Sequence, residues 1–301
     1  MKKFYAFTLA EVLITLGVIG VVSAMTMPVL INKVKDKEYD RAREKALASI
    51  GEAGRLLAVQ GDIGSASNAE DFVKNYLSKK LKIVKTCDST KLLECGLSSA
   101  IKKSDGTTTI EMPTTFADLG LPQLSSRSTW YPIKNKPSYG FVTVNGYSIN
   151  LFYNPDCITD TNEQNAGASG YACFNAIYDM NGQKNPNQVG KDIGFVTVLY
   201  PNETNRAVAP NPNLKAIGNY SWYDAQAQCS NLGKEYTLPD KGELLAIAIN
   251  RNLLNITGGG YCWASSTYPN LPNTAWSQAF SDGNSGYTTK NTTNGGLCIR
   301  R

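Results

Sequence analysis

Histidine is absent from all 301 residues, and that absence removes a block of chemistry: no Ser-His-Asp triad, no His-ligated zinc hydrolase, no imidazole proton shuttle. Charge is scarce as well. Only 18% of residues are Asp, Glu, Lys or Arg, while Gly, Asn, Ser and Thr are plentiful, which suits a loop-rich extracellular surface better than a cytosolic enzyme. The formal net charge is +5, and two of the basic residues are Lys2 and Lys3 at the extreme N-terminus, so no bulk case for nucleic-acid binding exists. Cysteine is missing from the first 86 residues. The seven that follow, Cys87, Cys95, Cys157, Cys173, Cys229, Cys262 and Cys298, contain no CxxC pair, which argues against a zinc knuckle or a thioredoxin-like redox motif. In an oxidising compartment they allow at most three bridges and leave one thiol over.

What is present begins with FTLAEVLITLGVIGVVSAMTMP, residues 7–28, behind the short basic leader MKKFYA. At helical rise the apolar part covers roughly 30 Å, the thickness of a bilayer core. One reading is an ordinary signal peptide or signal anchor, with small residues Ser23 and Ala24 where cleavage would occur. Three details favour another: Ala6 stands before the apolar run, Glu11 sits inside it, and Pro28 closes it. On these residues the segment resembles the class III leader and N-terminal helix of type IV pilins and of the pseudopilins of type II secretion systems. The resemblance implies a leader 1–6 removed by an inner-membrane prepilin peptidase, methylation of the Phe7 amine, a helix 7–60 whose part 7–27 spans the membrane, and assembly with other pilin or pseudopilin subunits. Ala6 departs from the glycine usual before the cut.

A lone carboxylate in hydrocarbon costs several kcal/mol and marks a function or a partner. In a bundle of such helices Glu11 would face the Phe7 amine of a neighbour, so insertion alone is penalised and docking relieves the penalty. Gly17, Gly20 and Ala24 offer small surfaces for close helix approach, although glycine is common in membrane helices generally. Pro28 removes a backbone donor and is expected to bend or loosen the helix. Beyond it, small or apolar residues at Leu30, Val34, Ala42, Ala46, Ile50, Ala53 and Leu57 extend the helix to Val59, with Gly61 as its stop.

In the middle region, 61–204, a short helix is expected over 69–84, and Cys87 and Cys95 bound a loop that a disulfide could close. Residues 139–153 read as two strands joined at Asn145-Gly146, a strong hairpin signal, and 193–201 as a further strand. A helix backing a small antiparallel sheet is the arrangement of pilin-like domains. Cys157 and Cys173 flank a Gly- and Asn-rich loop and form a second candidate pair. The stretch DMNGQKNPNQVGKD places Asp179, Asn181, Gln183 and Asp192 around Gly182. These residues resemble half of a calcium loop, but the closing acid of an EF-hand is missing, so weak calcium binding and a plain Asx turn are both open.

Residues 205–213 read as a linker, and 214–301 as a second domain with helices over 222–232 and 241–253. Trp222, Ala225 and Cys229, then Tyr236, Leu238, Pro239, Glu243 and Leu244, the run Cys262-Trp263-Ala264-Ser265-Ser266, Ala275-Trp276 before Phe280, and Leu297-Cys298-Ile299-Arg300 follow one another in order. This layout resembles the bacterial branch of the C-type-lectin-like fold, which includes relatives of the formylglycine-generating enzymes. The resemblance implies a disulfide between Cys229 and Cys298, with Cys262 left unpaired. It does not imply catalysis, because a structural Cys298 leaves no cysteine pair for copper chemistry and the domain is far smaller than such an enzyme. Nor does it imply a calcium-dependent sugar site, since Leu271-Pro272-Asn273 lacks the carboxylate. Tyr268, Asn270, Asn273, Trp276, Asp282, Asn284 and Tyr287 have the composition of recognition loops, with Trp276 more readily read as core.

The expectation is therefore an α+β protein: a long N-terminal transmembrane or filament helix backing a small antiparallel sheet, followed by a C-type-lectin-like domain. The function expected is that of a non-enzymatic, minor or tip-located pilin-like subunit, membrane-inserted before assembly, with its globular part outside the cytoplasm and directed at an unknown extracellular ligand. A pseudopilin contacting a secreted protein, and a membrane-anchored enzyme, are the alternatives.

Overall fold

The computed structural model describes residues 8–120, 133–158, 172–199, 207–208, 214–268, 270–281 and 283–301. The protein is α+β, with one long N-terminal helix, α1 (Leu9–Gln60), and two antiparallel-rich sheets. The helix is continuous through Pro28. It stops where Gly61 turns left-handed at φ +77°, its amide bonded to the Ala58 carbonyl and that of Asp62 to Leu57. Two compact units divide within it, Met1–Ala42 and Arg43–Arg301.

In the first unit the helix is long and apolar enough to cross a membrane by length and composition. Its large apolar side chains, from Leu9 and Leu13 through Ile19 and Met25 to Val34, are exposed around its whole circumference. The second unit opens on the last turns of α1, where burial contracts to a single stripe, Ala46, Ile50, Ala53 and Leu57, at helical spacing. That stripe packs on a sheet, and Gly54 permits the approach: a Cβ there would lie 2.7 Å from Val198 Cγ1.

After α1 comes α2 (Ala69–Asp71), capped by Asn68 and continued by a π turn (Phe72–Tyr76) and a 3-10 turn (Leu77–Lys79). The helical stretch thus ends before the expected residue 84, because strand pairing begins at Ile83. The first sheet contains β1 (Ile83–Asp88), β4 (Tyr139–Thr143), β5 (Ser148–Tyr153), β6 (Ala172–Asp179), β7 (Ile193–Leu199) and β8 (Ala207–Val208), neighbours in that order and all antiparallel. The β4–β5 hairpin turns at Asn145-Gly146, with Gly146 at φ +81°. Between β1 and β4 lie a small hairpin, β2 (Ala100–Lys102) with β3 (Thr109–Glu111), and one helical turn, α3 (Phe116–Leu119).

The last ninety or so residues begin with β9 (Lys215–Tyr220), α4 (Trp222–Leu232), β10 (Tyr236–Thr237) and α5 (Lys241–Ile249). They continue with β11 (Tyr261–Tyr268), β12 (Leu271–Ala279), β13 (Ser285–Thr289) and β14 (Asn294–Arg300), and the second sheet runs β10-β14-β11-β12-β13 with β9 also on β14. α5 is opened by a capping box between Asp240 and Glu243 and ends at Asn250, short of the expected residue 253.

The organisation expected from the sequence, two domains separated by a linker at 205–213, differs from the packing. Every residue from Leu244 to Ile249 is buried. A helix apolar all round must be covered all round. α5 is covered by both sheets: Leu245, Ile247 and Ile249 share one core cluster with Phe152, Ile177 and Phe195 of the first sheet and with Trp276 and Ile299 of the second. Within this core Asn175 and Asn250 exchange amide hydrogen bonds, 2.9 Å in each direction, and Thr197 donates to Asn175 at 2.7 Å. Buried polar groups need such partners. Ala207 and Val208, inside the expected linker, pair with Val198 and Thr197 as the sheet's last strand, so at least that part of the segment is structural. The first sheet is thus sandwiched between α1 and α5, which is why β6 and β7 are buried at every position rather than alternating.

Three disulfides link Cys87 to Cys95, Cys157 to Cys173 and Cys229 to Cys298, the last joining α4 to β14. Cys262 is free and half-buried.

Candidate functional site

Three places answer to the residues singled out in the sequence. At the first, Ala6 and Phe7 lie outside the described residues. Glu11 occupies the third position of α1, and its carboxylate oxygen Oε2 accepts from both the backbone N–H and the hydroxyl of Thr8, each at 2.9 Å. The Glu11 amide in turn donates to Thr8 Oγ1 at 3.3 Å. This is a reciprocal capping box, so within one chain the acid satisfies its own helix start. A Cβ on Gly17 or Gly20 would meet no atom within 4 Å, and Ala24 is exposed on the same helix.

At the second, Asp179 and Asp192 are fully buried and close enough that the charge of Asp192 helps to push the Asp179 carboxyl up. Burial is the larger cause, and together they bring it to about 7. Asp179 Oδ1 accepts from the Asn181 amide at 3.0 Å, while Oδ2 is buried without a hydrogen-bond partner among the described residues. Asp192 accepts from the amides of Asn187 and Gln188, both at 2.8 Å. Gln183 does not join them, since its amide donates to the Leu93 carbonyl at 2.9 Å. Calcium requires six to eight oxygens. The orphan Oδ2 fits a cation, but the side chain of Gln183 turns away and both Asp192 oxygens already hold N–H groups. Among the described residues no group of three or more His, Cys, Asp or Glu that could hold a metal occurs. The geometry is that of an Asx turn tied to a backbone-binding acid.

The third is the edge of the second sheet. Tyr268 and Tyr287 meet edge-on with centroids 4.4 Å apart, and Tyr287 meets Trp276 at 5.1 Å. Trp276 is only 1% exposed, with Lys241 Nζ 4.0 Å from its ring centre. As a ligand-contacting candidate Trp276 is therefore corrected: it is core, with Tyr287 edge-on against it and Tyr268 against Tyr287. Asn270 and Asn273 are exposed, and the Asn284 carbonyl closes the β12–β13 turn by accepting from the Ala279 amide at 2.7 Å. Asp282 lies outside the described residues.

Two features carried no sequence signal. Lys290 is 9% exposed, donates to the Pro272 carbonyl at 2.6 Å and lies 4.3 Å from the centre of the Trp222 ring, so a lysine ties β12 to α4. Arg251 and Lys103 line one groove although 148 positions separate them in the chain. Burial pushes the Cys262 thiol up to about 12, which leaves it protonated and without nucleophilic character at neutral pH. No family model matches this chain, and no curated protein matches it.

Proposed function

We propose that the protein is a pilin-like subunit that inserts in a membrane through residues 7–27, assembles with further copies through α1, and displays its disulfide-bonded unit outside the cytoplasm for recognition. The observation that carries this reading is the pairing of an apolar helix face exposed all round with an acid at its very start. A simple anchor needs the first and is penalised by the second. In the lone subunit the Thr8 cap makes the penalty tolerable. In a filament the Phe7 amine freed by prepilin peptidase offers Glu11 a full positive charge, which a hydroxyl does not. Assembly is then the state in which the charge is best compensated.

The outward part is read as C-type-lectin-like. Support comes from two helices set against a sheet and from the Cys229–Cys298 bridge between the first of these helices and the last strand. Its recognition surface is the polar edge carrying Tyr268, Tyr287, Asn270 and Asn273, directed at an extracellular partner rather than nucleic acid.

The test combines two measurements. Intact mass of membrane-purified protein is expected to show a chain beginning at a methylated Phe7, and Glu11→Gln is expected to remain in the membrane while its recovery in sheared filaments falls by at least about tenfold, the factor one lost charge-assisted contact supplies. Unchanged filament recovery of Glu11→Gln, or a mature chain beginning beyond Ala24, overturns the reading.

A further inference from the structure

We propose that the groove between α3 and the end of α5 binds the carboxylate of an acidic sugar. It is bounded by Lys103 in the turn after β2, by Ala117 and Asp118 of α3 and its C-cap Gly120, and by Arg251, Asn252, Asn255, Ile256 and Thr257. Arg251 and Lys103 are both half-buried. Arg251 donates from Nε to the Gly120 carbonyl, and among the described residues its guanidinium makes no other hydrogen bond and no ion pair. Among the described residues Lys103 Nζ has only the Asn255 side-chain oxygen at 3.4 Å. A guanidinium partly stripped of water, with its two terminal nitrogens free, presents the planar fork that matches an oxyanion.

The acids nearby do not fill this role. Asp118 Oδ2 accepts from the amides and hydroxyls of Thr114 and Thr115, at the opposite end of the four-residue helix. Asp105 is held by Thr108, Thr107 and Asn255, and the hydrogen bonds from Thr108 and then Thr107 pull its carboxyl down to about 2. Asp118 lines the groove, but its Oδ2 is taken up by Thr114 and Thr115, and Asp105 is held within its own turn, so neither carboxylate pairs with Arg251 or Lys103 among the described residues. Their charges still count at longer range, where two acids cancel two bases. That balance disfavours a dianion such as phosphate and favours a single carboxylate whose attraction comes from direct hydrogen bonds.

The rest of the wall suits a sugar ring. Asn252 donates to the Asp118 carbonyl at 2.9 Å and keeps its own side-chain oxygen as an acceptor for a hydroxyl. Thr257 is exposed beside it, and Ile256 gives an apolar face. The site is distinct from the Tyr268–Tyr287 edge and does not depend on filament assembly.

The test is saturation-transfer difference NMR on the full chain in detergent with glucuronate, glucose and inorganic phosphate as probes. Saturable glucuronate binding of millimolar affinity is expected, with no glucose signal and weaker competition by phosphate than by acetate. Lys103→Ala is expected to weaken glucuronate about tenfold without changing Tm, and Arg251→Gln by at least as much, the size of one charge-assisted hydrogen bond. Should Arg251→Gln fail to fold because the Gly120 contact is lost, Lys103→Glu is the second variant, expected to abolish binding. Equal binding of glucose, stronger competition by phosphate, no saturable binding, or wild-type affinity in the Lys103 variants overturns the proposal.

Discussion

One helix, α1, meets two environments. From Leu9 to Val34 large apolar side chains are exposed in every direction, whereas from Arg43 onward a single stripe of Ala46, Ile50, Ala53 and Leu57 is covered completely while Val59 stays exposed. The periodicity of burial separates them, and the helix has no break at the boundary. The first part is shaped for a solvent or partner that is apolar on all sides. The second is shaped for one sheet. The polar exception differs in kind too, since Glu11 satisfies the start of its helix locally, while Arg43 reaches the Gly190 carbonyl, 147 positions away in sequence, at 2.7 Å.

The sharpest way to break the comparison is to put the same charge into each part. Leu57→Asp places a carboxylate at a fully buried position against the first sheet, a loss of upwards of about 4 kcal/mol that few domains survive. Leu16→Asp, on the exposed part, is expected to leave unfolding of the globular unit unchanged while adding about 3 kcal/mol to the cost of bilayer insertion. Urea unfolding and membrane fractionation of the two variants read both effects. Equal unfolding midpoints would mean that the α1 stripe is not part of the core.

Next in size is the contrast in covalent cross-linking, which is confined to the second unit. Cys229 and Cys298 are 69 positions apart, and loop-closure entropy alone gives about 4 kcal/mol for a bridge of that span. The Cys87–Cys95 bridge, 8 apart, gives under about 3 kcal/mol. Paired Cys→Ser variants measured by denaturant unfolding are expected to rank in that order, and the helical circular dichroism of the first unit in detergent is expected to survive both. A reversed ranking would show that the unfolded-state account does not govern these bridges.

What could be read in advance follows the range of the forces involved. The β4–β5 hairpin is written in Asn145-Gly146, the start of α4 in Ser221 with Asp224, and the start of α5 in Asp240 with Glu243, because each signal acts within four residues. The end of the helix after Ala69 and the covering of α5 are not local. Apolar residues without a gap from Leu244 to Ile249 meant that two walls were needed, but only the fold shows which two. The strands β6 and β7 lack alternation for the same reason. Of the candidate sites, the Glu11 segment stood out in the sequence because an acid in an apolar run is rare by energy. Trp276 was ambiguous because burial and binding select the same residue type. The Arg251–Lys103 groove was invisible, since a half-buried cation is defined by what surrounds it.

A last contrast tests whether the Asp179 turn belongs with the locally satisfied Glu11 or with the long-range core. Its folded carboxyl is held near 7 by burial and by Asp192, against about 3.9 in an unfolded chain. Between these values the folded state binds more protons than the unfolded one, so this group's contribution is fully present below about pH 4 and is lost as pH rises through about 7. Asp179→Asn removes the titration. The stability difference between variant and wild type is therefore expected to move in the variant's favour from pH 4 to 8, with most of the change complete by about 7. A calcium ion held by Asp179 and Asp192 would replace the proton, erasing the slope and raising Tm when calcium is added at pH 8. The Asx-turn geometry, with the amide of Gln183 bonded to Leu93 and the Asp192 oxygens on backbone N–H groups, leads instead to a Tm at pH 8 that is indifferent to calcium. Differential scanning calorimetry at pH 4, 6 and 8, with and without calcium, separates the two, and a flat difference between Asp179→Asn and wild type would mean that the buried Oδ2 finds a partner in solution.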